Sequence, residues 1–460
     1  GYFASPTPGG TNGEISTGLV ADTKFSIDRG FYTNPFQVAI TSDTPGATIR
    51  FTTDGSAPTD STGTLYVGPV SVTTTTTLRA MAAKPGYIPT DVDTQTYIFP
   101  DDVFVQSATP PGFPLTWGGP PSSNDLMAGD YEMDPEVTQD PVYADRLQDA
   151  LVSIPAMSVV MDVDDWFSPE TGIYSNGALS GINWERACSA ELIFSDGTEG
   201  FAINSGIRIQ GQTSTDPNWK SPKLSMRLLF KNEYGPSHLE FPLYPDSSVH
   251  SFDTLVLDAR LNQTWIHPWD LGQRIRAQYL RDQFMNDAQI AMGHLSSHGR
   301  YVHLFLNGLY WGLYDIHERP DEHFHSDYLG GVDEDYDVIR HNPFDVVSGS
   351  NNGYTEMLTI ARGDLSSPAQ YNELKQFLEI VPFIDYMILN FWAGNDDWAH
   401  KNWYAGRNRI DGSGFRYFSW DAEHTLKNVL ENVVLKNDFG GPTELLQRLK
   451  QNDEFLILFA

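Results

Sequence analysis

The sequence predicts an α+β fold: a small all-β, immunoglobulin-like sandwich, then a larger two-lobed domain in which strands come first and helices follow. Three observations carry this. Between Phe25 and Phe99 apolar residues alternate with a period of two, and turn dipeptides recur at Pro45-Gly46, Asp54-Gly55 and Pro85-Gly86. From Ile154 to Leu257 strand patterns continue. Beyond Trp269 the apolar period becomes helical, over Trp269–Met292 and over residues 370–393, with one Asn-Gly hairpin between them.

Each element has its own justification. Residues 1–20 read as the tail of a preceding domain plus a linker, since Gly10–Gly18 is polar and glycine-rich. In residues 21–100, Phe36–Ile40, Thr48–Thr52, Val70–Val72 and Thr77–Ala80 are short alternating strands. Residues 101–150 are rich in Pro, Gly and Asp and read as an ordered connector with a short helix at Tyr143–Val152. The main domain, 151–460, opens with Ser158–Val163 as a buried strand. Ala190–Phe194 and Gly200–Ile203 form a hairpin about Asp196-Gly197, and Ile207–Ser214 runs into a polar turn. Pro222–Lys231 is a strand with Lys223 at its entrance, and Leu255–Leu257 is another. In Trp269–Met292 the apolar positions are Ile275, Tyr279, Phe284, Ile290 and Met292, with Gly293 as C-cap. Val302–Leu306 and Tyr310–Glu318 pair across Asn307-Gly308. Phe377, Leu378, Ile384, Met387, Ile388 and Phe391 make the buried face of 370–393. The chain stops inside an apolar helical pattern, Phe455–Ala460, which reads as truncation.

Length and charge narrow the function. A chain of 460 residues holds two or three domains, and no run is long and apolar enough for a transmembrane helix. The formal charge of −31 argues against nucleic acid as a partner and suits a solvated protein outside the cell or on its surface. It also means that any nucleotide would need a local basic pocket. Cys188 stands alone, so neither an intrachain disulfide nor a cysteine zinc site is possible. His317, His323 and His325 have ligand-like spacing, but the acidic residues around them favour a solvated face.

The chemistry concentrates in 395–423. Asp397 and Asn402 are five apart, the D-x-x-x-x-N spacing of a phosphoryl-transfer base and a metal-binding amide. A hairpin pattern follows, Asn402–Gly406 and Phe415–Phe418 about Asp411-Gly412, and Phe418-Ser419-Trp420-Asp421-Ala422-Glu423 comes after it. With Asp411-Gly412 as a two-residue loop, Asn402 faces Asp421 across the ladder, where an amide oxygen and a carboxylate can share one Mg²⁺. A wider loop on Gly412-Ser413-Gly414 slips that register by one.

Two resemblances enter on these residues. Gly46–Thr59 and Leu78–Ala82 followed by Gly86-Tyr87 resemble the chitobiase/β-hexosaminidase C-terminal domain, a module that accompanies carbohydrate-active and surface proteins. No catalytic acid pair is visible in it, and a spacer role is favoured over glycan binding. Residues from about 150 to 460 resemble the CotH kinase family of atypical protein kinases. The matching stretches are Gly206–Ser214, Pro222–Leu228, Asn307–Tyr314 ending at Glu318, Asn395–Asn402 and Trp420–Glu423. Two departures stand out: Glu423 where the family often has a second Asp, and Gln210-Gly211 in place of arginine-glycine.

The resemblance implies a two-lobed kinase-like fold and ATP-dependent phosphorylation of a protein serine with Mg²⁺ or Mn²⁺. Carried over by position, Asp397 is the base, Asn402 and Asp421 hold the metal, Lys223 contacts phosphate, Glu318 sits near the hinge and nucleotide, and Arg281 belongs to the pocket. The alternative is a non-catalytic surface or adhesive module that keeps the kinase-like fold and binds a surface protein or glycan. ATP is scarce outside cells, which favours that alternative; the retained Asp397, Asn402 and Asp421 favour the kinase.

Overall fold

The computed structural model describes residues 15–118, 126–211, 213–216 and 221–460. The expected tail at 1–14, the Gly119-Pro120-Pro121 run of the connector and Gln212 of the glycine-containing loop lie outside them. The chain divides into two compact units. One comprises Gly1–Leu239, Leu257–Ala259 and Tyr301–Ile316; the other comprises Glu240–Val256, Arg260–Arg300 and His317–Ala460. Among the described residues no helix is long and apolar enough to cross a membrane.

The first unit begins with the all-β sandwich. Its main sheet runs Gly30–Phe31, Asp93–Ile98, Thr76–Ala83, Thr48–Thr52, Thr64–Leu65, and Phe36–Val38 pairs with Val70–Val72. Alternation buries Val38, Ile40, Val72, Leu78, Ala80, Tyr97 and Phe99 as its core, as the period of two requires. Gly55 has φ +89°, and a Cβ there would meet Asn307 Nδ2 at 2.3 Å and the Met161 carbonyl at 2.8 Å. Both conformation and space therefore demand glycine.

A closed barrel follows, built in order from Ala156–Val160, Arg186–Ile193, Phe201–Ile209, Met226–Leu229, Thr254–Asp258, Leu309–His317 and Gly299–Leu306. Parallel pairing of Ala156–Val160 with Gly299–Leu306 closes it. The separate strand expected from Ile207 is the end of one strand, Phe201–Ile209, and the lysine strand is regular only over Met226–Leu229.

The sandwich is joined to this barrel by buried polar groups. The Thr96 hydroxyl donates to Glu191, its amide donates to the same carboxylate at 3.2 Å, and its oxygen lies 2.8 Å from Ser158 Oγ. Burial pushes the Glu191 carboxyl up, and Arg29 at 3.4 Å works against that. The Asn-Gly turn forms as the dipeptide predicts, with Asn307 at φ 49° and Gly308 at φ 80°. Its tip is anchored: Asn307 Nδ2 donates to the Met161 carbonyl at 2.7 Å, and the Met161 amide donates to Asn307 Oδ1 at 3.0 Å.

The second unit centres on a four-stranded sheet, ordered Val346–Ser348, Tyr336–Arg340, Trp403–Asn408, Arg416–Ser419. Helices Asn352–Ala361, Ile380–Trp392 and Pro442–Leu449 pack on it around Tyr354, Phe383, Tyr386, Trp398, Trp403 and Tyr417. The single helix expected over 370–393 is two, Pro368–Leu374 and Ile380–Trp392. The break exists because backbone groups at Phe377 and Glu379 bond Phe415 instead, at 2.7 and 3.2 Å. Ile388, expected in the core, is exposed.

The Trp269–Met292 reading needs two corrections. The segment is Leu271–Ile275 and Arg281–Ala291, separated where the Gln278 amide bonds the Gln263 carbonyl at 2.8 Å. Ile275, Phe284 and Met292 are exposed, whereas Arg281, Asp282, Met285, Asn286 and Gln289 are buried. That face is polar because it supplies backbone partners to the strand ending at Ser419: Gln289 Nε2 donates to the Tyr417 carbonyl at 2.7 Å and Gln289 Oε1 accepts from Ser419 N at 3.1 Å. A solvated face for the histidines is also incorrect for two of them. His317 and His325 are buried, and burial holds His325 down to about 4. His323, half-exposed, lies between Asp253 at 3.2 Å and Asp333 at 2.6 Å.

Candidate active site

The helix Ile380–Trp392 delivers the chain into the Asn395–Asn402 loop, and the hairpin Trp403–Ser419 carries it from there to Asp421. The loop is fixed from several sides. Asn395 Nδ2 donates to Asn390 Oδ1 at 2.9 Å, and Trp398 Nε1 donates to the Tyr386 hydroxyl at 2.7 Å. Lys436 Nζ donates to the carbonyls of Asp396 and Trp398 at 2.7 and 2.8 Å, and Lys427 pairs with the Asp396 carboxylate. Asp396 is thus tied down by Lys427, whereas Asp397 is partly exposed, 3.3 Å from Lys401 and 3.6 Å from His400.

Asp397 and Asn402 meet directly. Asn402 Nδ2 donates to the Asp397 carbonyl at 3.0 Å and to its Oδ2 at 3.3 Å. Asn402 is 4 % exposed and left-handed, φ 60°, a conformation asparagine tolerates better than most residues. Its backbone amide donates to His341 Nδ1 at 3.0 Å. That nitrogen must be unprotonated to accept. Burial first, then the nearby Arg340, Lys401 and Arg319, hold His341 down to about 4. No spacing rule pointed to His341, which lies 61 residues away in sequence.

The expected pairing of Asn402 with Asp421 does not form. Trp403 pairs with Ser419, Tyr404 with Phe418, Ala405 with Tyr417 and Gly406 with Arg416, one residue away from the two-residue-loop register. The loop is wide because its side chains and backbone are otherwise engaged. Asn408 Oδ1 accepts from Ile410 N and Asp411 N, Asp411 Oδ1 accepts from Ser413 N, and Phe415 pairs with the Phe377–Glu379 backbone. Asn402 and Asp421 both lie just beyond the base of the ladder, outside the Trp403–Ser419 pair, and Asp421 is also left-handed, φ 54°, and exposed.

The segment after Asp421 is gripped by its neighbours. Ala422 N donates to Asp282 Oδ1 at 2.5 Å, and Asp282 Oδ2 is 2.6 Å from Arg260 Nη1. Glu423 accepts from Leu261 N at 3.2 Å, Asn262 N at 3.3 Å and Asn262 Nδ2 at 3.0 Å. Arg281, beside Asp282, is 5 % exposed. Glu318 is buried and accepts from the His298 amide at 2.8 Å, from His298 Nδ1 at 3.0 Å and from the Tyr328 hydroxyl at 2.8 Å. Lys223 belongs to the other unit. Its ammonium sits 4.0 Å over the Trp311 ring and donates to the Asp130 carbonyl at 2.6 Å; burial pushes it down to about 8.

Of the six sequence-predicted residues, then, Asp397 and Asn402 touch each other, and Asp421 follows the same hairpin. Arg281 neighbours the residue that holds the chain after Asp421. Glu318 is engaged with His298 and Tyr328, and Lys223 with Trp311 and Asp130.

Among the described residues no group of three or more His, Cys, Asp or Glu is arranged to hold a metal. One amide oxygen and one carboxylate still suit Mg²⁺, which keeps waters and substrate phosphate oxygens and needs only one or two protein carboxylates. With Nδ2 given to Asp397, the Asn402 oxygen remains the atom for such a cation.

Comparison with known families agrees with this anatomy. A model of the chitobiase/beta-hexosaminidase C-terminal domain matches residues 27–94, the sandwich. A search of curated proteins found no match. The model of the CotH kinase protein matches residues 207–457, more than half of the chain, from the end of a barrel strand through the Asp397 loop and Asp421. The chain belongs to the CotH kinase protein family, preceded by a chitobiase/beta-hexosaminidase C-terminal domain.

Proposed function

We propose that this kinase-like protein is an atypical protein serine kinase, acting outside the cell or at its surface, that transfers the ATP γ-phosphate to a co-secreted protein. The observation that carries the reading is the Asn402–Asp397 hydrogen bond at 3.0 Å in a loop followed by a hairpin and then Asp421. Asp397 is the one carboxylate of the Asp396–Asp397 pair not tied to Lys427, so it is the group to accept the serine hydroxyl proton. Asn402 Oδ1 and the Asp421 carboxylate would hold Mg²⁺ or Mn²⁺, which when bound neutralises charge on the phosphate chain. The chain's own part is positioning. His341, kept neutral, fixes the Asn402 backbone, and Asp282 fixes the backbone after Asp421. The charge of −31 and the chitobiase-type module support the extracellular assignment.

Calorimetric titration of ATP with Mg²⁺ or Mn²⁺, run beside Asp421→Ala, tests the reading. Metal-dependent binding that Asp421→Ala abolishes is the expected result. No binding by either folded protein would overturn it in favour of a non-catalytic adhesive module.

A further inference from the structure

His323 has a carboxylate oxygen against each of its ring nitrogens. Nε2 lies 3.2 Å from Asp253 Oδ2, and Nδ1 lies 2.6 Å from Asp333 Oδ2. A neutral imidazole has one N–H, so at one of these two contacts a ring lone pair would face an anionic oxygen. The arrangement is satisfied by an imidazolium, or by a proton on one of the carboxyls. The surroundings favour holding that proton. Two further acids, Asp321 and Glu322, immediately precede His323 and act on it, and the cation facing them, Arg319, lies 3.4 Å from Asp321 and acts on Glu322. Burial works against a charged ring here, but the four acids outweigh it, and His323 stands above the ordinary histidine range. Burial also pushes the Asp253 carboxyl up.

The three residues come from three places in the fold. Asp253 sits between the strands Ser251–Phe252 and Thr254–Asp258, His323 lies in the first turn of the helix Glu322–Leu329, and Asp333 opens the short turn Asp333–Asp335 that leads into the strand Tyr336–Arg340. The two sides of that first helical turn are secured differently. On one, Phe324 and His325 pack on Phe418, with ring centroids 5.7 and 5.0 Å away. On the other, Glu322 lines a cavity together with Arg319, Arg340 and Asp345, and the ties are polar: the His323 contacts, and Ser326 Oγ donating to Asp333 Oδ1 at 2.5 Å. Apolar packing therefore does not hold this side when the charge on the ring changes. The helix in turn carries Tyr328, whose hydroxyl donates to Glu318 Oε1 at 2.8 Å and lies 2.5 Å from Ser247 Oγ.

We propose that Asp253, His323 and Asp333 form a proton-operated clasp that ties the start of the helix Glu322–Leu329 to its neighbours on both sides, closed while His323 carries its proton and released when that proton is lost. The clasp does not depend on the kinase reading. Because the histidine binds its proton more tightly in the folded chain than in the unfolded one, its contribution is complete below about pH 6.5 and is lost as the pH rises beyond that. Hydrogen exchange of the full chain, followed by mass spectrometry from about pH 6 to about pH 8.5 and corrected for the intrinsic rate, tests it. Protection of residues 322–329 should fall at least ~10-fold across that interval in wild type and less than ~2-fold in His323→Gln, with the sandwich strand Thr76–Ala83 as internal reference. Asp253→Asn and Asp333→Asn should each move the midpoint of the loss to lower pH, a shift that a merely structural contact would not produce. Should His323→Gln not fold, these two variants carry the test. Equal protection across the interval in wild type, an equal fall in His323→Gln, or a midpoint that neither carboxamide moves would overturn the clasp.

Discussion

The hairpins about Asn307-Gly308 and Asp411-Gly412 each carry an X-Gly dipeptide in the connecting loop, and they behave differently. The Asn307-Gly308 turn closes as the tight two-residue loop that its sequence specifies, while Asp411-Gly412 sits in a wide loop that shifts the ladder by one. The first tip has both central residues at positive φ, and its asparagine grips Met161. In the second, the outer residues have stronger claims on them: Asn408 caps the loop from inside, and Phe415 is pinned to Phe377 and Glu379. A turn dipeptide sets register only when the residues flanking it are free to follow. The two hairpins also differ in use. The tip of the first is an anchor for the fold, and the base of the second carries the residues assigned to chemistry.

If that division holds, perturbing the base of the second hairpin should abolish activity while sparing the fold. Asp397→Asn is expected to lower phosphoryl transfer by about 10³-fold, within the range for losing a general base, with unchanged circular dichroism. A comparable fall in thermal stability would erase the distinction. The tip of the first hairpin should show the reverse. Asn307→Ala removes two bonds to the Met161 backbone and places alanine at positive φ, so it should cost about 2–4 kcal/mol in urea unfolding.

The third test is pH. His341 has its pKa lowered by burial, so the unfolded chain binds the extra proton first. Its contribution is complete above about pH 6.5 and is lost as pH falls towards about 4. Unfolding between pH 7 and pH 4.5 should therefore lose about 2 kcal/mol less in His341→Gln than in wild type. The smallest effect belongs to the wide loop. Asp411→Ala removes an exposed turn contact to Ser413 and should cost less than ~1 kcal/mol. A large effect would show that the loop, not Phe415, holds the shifted register.

Much of this was legible in the sequence because period and punctuation are local signals. The sandwich strands, the barrel strands and the Asn307-Gly308 turn needed only neighbours a few residues away. The order Asp397, Asn402, hairpin, Asp421 was equally local. What stayed hidden depended on tertiary partners. The Arg281–Ala291 helix buries Asp282, Asn286 and Gln289 because backbone groups near Ser419 and Ala422 need partners, and no apolar count reveals that. His341 reaches Asn402 from just past the end of the neighbouring strand Tyr336–Arg340, and Lys223 is captured by Trp311.

The buried Glu191 has an evolutionary implication. Modules that recombine freely between proteins usually meet their neighbours across solvated, forgiving surfaces. Here a carboxylate of the barrel has its partners in Thr96 and Arg29 of the preceding module, and Gly55 of that module leaves room for Asn307. Exchanging the sandwich for an unrelated one would leave a buried carboxyl without these partners. The two are therefore expected to have been inherited as a pair, with substitutions at 29, 55 and 96 tracking those at 191 and 307.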